Sequence, residues 1–177
     1  FPKTLAATTD AAYQRMVDLM REAFPEKEIA AYEIPNSYCP GTFDLSMDGK
    51  KIAGTAQRRI KAGIAVMMYL SVNGDQHYRG EVVRTFYQRS LKEQFGTNGY
   101  PAVEPTSMTT LRDVLQRSFS VSEAASRLQE ALTRLTKSSL SPVTASEWVE
   151  KNDQAALLEA RMTNMYQRNQ PIKESSQ

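Results

Sequence analysis

The chain has 177 residues, 41% of them hydrophobic and 24% charged, with a formal net charge of +2. That length suits one domain or slightly more, and its interspersed charges include no basic block to neutralise a row of phosphates, which argues against a nucleic-acid partner. No apolar run is long enough to span a bilayer and no signal peptide is visible, while the single cysteine, with no internal disulfide partner, fits a reducing cytoplasm.

The opening Phe1-Pro2-Lys3 reads as the end of a strand, so a C-terminal fragment of a longer protein is expected. Thr8, Thr9 and Asp10 then offer N-caps to a helix over roughly Ala11 to Phe24. Tyr13, Met16, Val17, Met20 and Phe24 recur at helical spacing and give it one buried face, and Pro25 stops it. Ile29 to Ile34 is predicted as a short strand ended by Pro35. Phe43 to Met47 alternates at strand period. Asp48-Gly49 signals a two-residue type I′ hairpin, whose central positions both need positive φ. Lys51 to Arg59 is the return strand. Gly63 to Val72 is nearly continuously apolar, predicting a central strand buried on both faces, and Asn73-Gly74 closes it in a turn. The middle of the chain is thus an antiparallel meander.

From about Gln76 the pattern becomes helical. Val83, Phe86, Tyr87 and Leu91 share a face of a helix ending near Phe95-Gly96, and Thr97 to Pro105 is a loop. Leu111, Val114 and Leu115 suggest a short helix. Ser120 with Glu123 spells a capping box ahead of Leu128, Leu132 and Leu135. Thr144 with Glu147 spells a second, before Trp148 and Val149, and Leu158, Met162, Met165 and Tyr166 continue a helical face. Pro171 to Gln177 is a polar tail expected to fray. The class is α+β, with residues 1–100 forming the C-terminal part of a catalytic domain and 101–177 a helical extension.

Chemistry concentrates between Ser37 and Arg59. Cys39 sits in a turn with Pro40 and Gly41, and Lys50-Lys51 follows across the hairpin. The thiolate is the nucleophilic form, and a nearby ammonium or a turn aiming N–H groups at the sulfur favours it. A lone cysteine is more often an inert small hydrophobe, and hairpin lysines are usually solvated. Gly54 interrupts the return strand, a sign of close approach by ligand or backbone. His77 is the one histidine and could pair with a cysteine, although a surface role at a helix start suits it better. One histidine and one cysteine argue against a structural zinc site, which is four-coordinate and rich in these ligands, and no phosphate loop or dinucleotide fingerprint is present.

The stretch resembles the catalytic core of the lipoate–protein ligase A and octanoyltransferase superfamily, whose fold is shared with biotin protein ligase. Asp44-Leu45, followed by the run from Asp48 through Lys50, Lys51, Ile52, Ala53, Gly54, Thr55 and Ala56 to Gln57, is similar to the family's Asp-Leu step and its Gly-basic-Lys-aliphatic-x-Gly-Ser/Thr-Ala signature. Lys51 falls on the family lysine that contacts the acyl carbonyl. Cys39 falls where the cysteine-dependent branches carry their nucleophile. Two departures stand out: the family's upstream arginine- and glycine-rich motif is absent, and Ala62-Gly63-Ile64-Ala65-Val66 lacks the His-Gly step of many ligases.

The resemblance implies the amidotransferase branch, which moves an octanoyl group from a lysine of glycine cleavage protein H to lipoyl domains of 2-oxoacid dehydrogenase E2 subunits through a cysteine thioester. It implies Cys39 and Lys51 as catalytic residues. Ser37, Gly41, Asp44, Gly54, Thr55, Ala56 and Gln57 would bind substrate, with Gly54 and Ala56 leaving room for the acyl chain. Neither ATP nor a metal is expected, and the octanoyl or lipoyl group is substrate. The alternatives are an octanoyl-acyl carrier protein transferase, an ATP-dependent lipoate ligase, or a non-catalytic protein that binds acyl groups or lipoyl domains.

Overall fold

The computed structural model describes residues 2–61 and 63–174, the side chains of 171–174 excepted. It divides into two compact units, Phe1–Ser138 and Ser139–Gln177.

The first unit is a four-stranded antiparallel sheet with helices. Pro2 forms an isolated bridge with Gly63 and leads into a 3₁₀ turn at Lys3–Leu5, while Phe1 lies outside the described residues. Helix α1 spans Thr9–Ala23 and starts two residues before the expected Ala11, because the first of the three candidate caps is used: the Thr8 hydroxyl accepts from the Ala11 N–H at 3.1 Å. Val17, Met20 and Phe24 are buried in the main core, and Tyr13 stacks on Phe43 with centroids 5.0 Å apart. The strands β1 (Ala30–Ala31), β2 (Leu45–Met47), β3 (Lys50–Ile60) and β4 (Gly63–Leu70) lie in sheet order β1-β2-β3-β4. The expected Ile29–Ile34 strand shrinks to two residues. Asp48 and Gly49 have φ of 51° and 74°, as a type I′ turn requires.

Strand β4 departs from expectation. It ends the sheet order instead of lying centrally, and Met67 and Tyr69 are 53% and 49% exposed. Its inward residues Met68 and Leu70 pack on the core. Its open face is cavity wall, and a continuous apolar run does not distinguish that from a second core layer.

Helix α2 spans Gln76–Leu91, capped by the Asp75 carboxylate, which accepts from the Tyr78 N–H at 2.8 Å. Its buried positions are Gln76 and Gly80, not the predicted Val83–Leu91 face, and Phe86 is 64% exposed. A Cβ on Gly80 would stand 2.8 Å from the Pro105 Cα, so glycine lets α2 lie directly on the 3₁₀ turn Pro105–Ser107. Helix α3 is Leu111–Val114 and α4 is Val121–Thr136. Leu111, Val114 and Phe119 belong to the same core as α1, so the first unit continues through α4. Ser120 caps α4 through the Glu123 N–H, but the Glu123 carboxylate pairs with Arg117 at 2.9 Å instead of completing the capping box. Ala124 and Ala131 are the buried α4 positions, whereas Leu132 and Leu135 are exposed. Small residues let α4 approach α1 closely.

The second unit holds α5 (Ala145–Lys151) and α6 (Ala155–Glu174). Thr144 and Glu147 form a complete capping box. Helix α6 runs on through Pro171 to Glu174, where a frayed tail was expected, and Ser175–Gln177 lie outside the described residues. No helix among the described residues is long and apolar enough to cross a membrane.

Candidate active site

Pro35 ends the extended stretch after Ile34, and the chain then loops through Ser37–Gly41 before re-entering the sheet at β2. Two buried charges organise this loop. The Lys51 ammonium is 2.9 Å from Asp44 Oδ1, with the two side chains 6% and 2% exposed. It also donates to Ser37 Oγ at 3.1 Å, the Tyr38 carbonyl at 3.1 Å and the Cys39 carbonyl at 2.9 Å. Three N–H donors thus serve four acceptors. Asp44 Oδ2 in turn accepts from the Gly41 N–H at 3.1 Å, and buried Ser37 donates its hydroxyl to the Ile34 carbonyl at 2.8 Å. A charge pair this deep is maintained only because hydrogen bonds satisfy its remaining sites.

A bulge aims Lys51 at the loop. Leu45 faces Ala53, but Ser46 faces Lys51, so one step along β2 answers two along β3 and one β3 residue is extra. That extra residue resets the in–out alternation and brings the Lys51 side chain to the Gly54 side of the strand. A Cβ on Gly54 would lie 3.4 Å from Lys51 Cε. Other segments satisfy the β3 carbonyls here: the Lys51 carbonyl accepts from the Thr109 N–H at 2.9 Å, and the Ile52 carbonyl accepts from the Ser71 N–H at 2.8 Å, just past β4.

Cys39 is exposed and sits at φ 48°, a left-handed conformation that costs a non-glycine residue about 1–2 kcal/mol. Backbone strain of this kind gathers at functional positions. Cys39 lines a cavity of about 580 Å³. Lys51, Gly54, Thr55 and Ala56 line it too, with Met67, Met68, Tyr69 and Met108 supplying an apolar wall. Gly54 pairs with Tyr69 and Ala56 with Met67, so these four share one face of the sheet. The volume lies within the rough 300–1,000 Å³ range of small-molecule sites.

The expected residues therefore divide into three sets. Cys39, Lys51, Gly54, Thr55 and Ala56 line the cavity. Ser37, Gly41 and Asp44 stand behind it and hold Lys51 and the loop. Gln57 is on neither surface, since its amide donates to the Thr9 carbonyl on α1 at 2.8 Å. Lys51 meets the backbone carbonyl of Cys39, where a contact favouring the thiolate was anticipated. Lys50 and His77 are exposed. Tyr38, Tyr69, Gln76 and Met108 also line the cavity and were not among the expected site residues. Tyr38 could have been found by its adjacency to Cys39, whereas Gln76 and Met108 carry no local mark. Burial pushes the Tyr38 phenol above its ordinary pKa, so it is neutral at physiological pH.

Comparison with known proteins agrees with this geometry. The family model described as lipoyl protein ligase A/B catalytic domain matches residues 2–133. The chain is 42% identical over 143 residues to an octanoyl-[GcvH]:protein N-octanoyltransferase of Anoxybacillus flavithermus, covering 78% of the chain and 51% of the relative. It is 37% identical over 175 residues to the protein of that name from Macrococcus caseolyticus, covering 98% and 62%. Against the Staphylococcus aureus protein of the same name it is 39% identical over 144 residues, covering 80% and 52%. The chain thus spans about half the length of the curated relatives it matches.

Proposed function

The chain belongs to the lipoyl protein ligase A/B catalytic-domain family, and from that premise we propose that it transfers octanoyl groups between protein lysines during protein lipoylation. The donor in this reading is octanoylated glycine cleavage protein H, supported by the GcvH in the relatives' names. The acceptors are lysines of the lipoyl domains of 2-oxoacid dehydrogenase E2 subunits.

In this mechanism the Cys39 sulfur attacks the amide carbonyl of the donor's octanoyl-lysine. The C–N bond breaks, the thiol proton ends on the departing lysine amine, and a thioester forms. The acceptor's lysine amine then attacks the thioester carbonyl, the C–S bond breaks, and its proton returns to sulfur. The sum exchanges one amide for another, so the transfer balances without a nucleotide. The covalent intermediate divides one difficult transfer into two easier steps. Lys51 supplies positive charge beside the reacting carbonyl. Reaching an acyl oxygen requires it to exchange one of its present backbone acceptors.

The observation that carries this proposal is the placement of Cys39: exposed, in a left-handed conformation, on the wall of a largely apolar cavity and with its carbonyl held by the buried Lys51 ammonium. Intact mass spectrometry after mixing with octanoylated H protein tests it. Wild type is expected to gain one octanoyl chain, and Cys39→Ala to gain none and to transfer none. Transfer that persists in Cys39→Ala overturns the mechanism.

A further inference from the structure

Gln76 opens α2 but points inward and is 4% exposed. Its Oε1 accepts from the Ser71 hydroxyl at 2.8 Å and from the Arg79 guanidinium at 3.0 Å. A guanidinium only donates, so the oxygen must face Arg79 and the amide orientation is set. The Nε2 is thereby committed to the opposite side, where it donates to the Tyr38 hydroxyl at 2.8 Å. Arg79 is itself anchored, through a 2.7 Å bond to the Asn73 carbonyl. It lies where a Cβ on Gly74 would come within 2.3 Å of Nη2.

Tyr38 is consequently held at two ends. Its ring hydroxyl is fixed by Gln76 and its carbonyl by Lys51, and Cys39 is the next residue. Lys51 grips the Tyr38 and Cys39 carbonyls from β3, Asp44 Oδ2 accepts from the Gly41 N–H, and the Asn36 carbonyl accepts from the Glu104 N–H at 2.7 Å. These bonds fix the backbone of the loop. The Gln76 tether adds an attachment from a different element, α2, through the Tyr38 side chain.

We propose that Gln76 is a positioning residue for Cys39, acting through the phenol of Tyr38. The proposal rests on the acyl-transfer function above. Gln76 touches no reacting atom. Its effect is to hold the sulfur at the attack geometry, and displacing a nucleophile from that geometry slows the chemical step more than it weakens binding.

The test compares wild type with Gln76→Met and Tyr38→Phe, each in the full chain, using octanoylated H protein. Single-turnover thioester formation is expected to slow about tenfold in each variant, with donor KM within about twofold of wild type. The double variant is expected to lose no more than either single, because both changes cut the same tether. Tyr38→Phe removes one oxygen and keeps the ring, so it decides the matter if Gln76→Met fails to fold. Wild-type acylation rates in the variants, or losses that multiply in the double variant, overturn the proposal. If wild type itself forms no thioester, the transfer mechanism falls and amide hydrogen exchange over residues 37–41 judges the tether alone. Faster exchange there in both variants sustains it, and unchanged exchange overturns it.

Discussion

Asp44 and Lys51 form an ion pair at 2.9 Å, with the carboxylate 2% and the ammonium side chain 6% exposed. Seven residues apart in sequence, they meet because the Asp48–Gly49 turn folds β3 back and the β3 bulge redirects Lys51. Removing one member strands the other's charge in a low-dielectric site, which costs about 3–5 kcal/mol. Lys51→Ala is therefore expected to lower unfolding stability by about that amount in urea titration, in addition to abolishing transfer. Lys51→Met combined with Asp44→Asn removes both charges and is expected to recover more than half of the lost stability. A Lys51→Ala variant as stable as wild type would show that the pair does not hold the loop.

Cys39 trades stability for reactivity. At φ 48° a Cβ is strained, and glycine relieves that strain. Cys39→Gly is expected to be more stable than Cys39→Ala by about 1 kcal/mol, and neither should form a thioester. Thermal unfolding of the two variants side by side reads the difference. Equal melting temperatures would mean the loop relaxes once the thiol is gone.

Much of this was legible in the sequence where the governing chemistry is local. Thr8 caps α1, and Asp48-Gly49 makes its turn, because each depends on atoms within a few residues. The motif carrying Lys51 and Gly54 was visible as a motif, but its geometry was not. The bulge depends on the register of β3 against β2, which no local pattern encodes. Gln57 belongs to the same run as Gly54 yet serves α1, since neighbours in a motif alternate between faces of a strand. Gln76 escaped detection because its partners Tyr38 and Met108 are 38 and 32 residues away.

The second unit carries a pH-dependent cap. The Glu147 carboxylate accepts from the Thr144 N–H at 2.7 Å and from its hydroxyl at 2.8 Å, and the backbone hydrogen bond foremost holds its pKa below the ordinary 4.5. The folded value is depressed, so the cap's contribution is complete above 4.5 and is lost as pH falls through the folded value. The Trp148 N–H, bonded to the Thr144 carbonyl at 3.0 Å, reports on this turn. Its exchange protection factor is expected to drop as pH is lowered below 4.5 in wild type and to show no such step in Glu147→Gln. Identical titrations of the two proteins would rule the cap out as the cause.

Gly54 separates two explanations of why the strand lacks a side chain at this point. An imagined Cβ meets Lys51 Cε at 3.4 Å and Nζ at 3.6 Å, and Asp44 Oδ1 at 4.0 Å. A single methyl therefore fits at ordinary contact distance, while a branched side chain presses on the Lys51 stem and enters the cavity. Gly54→Ala is expected to retain thioester formation within about threefold of wild type. Gly54→Val is expected to lose at least about tenfold, with an unfolding cost of about 1–3 kcal/mol from overpacking against a charge pair that has no room to move. If Gly54 served only to admit the acyl chain, Gly54→Val would raise the donor KM and leave urea stability untouched. Both quantities measured on one variant therefore assign the glycine to the lysine, to the substrate, or to both.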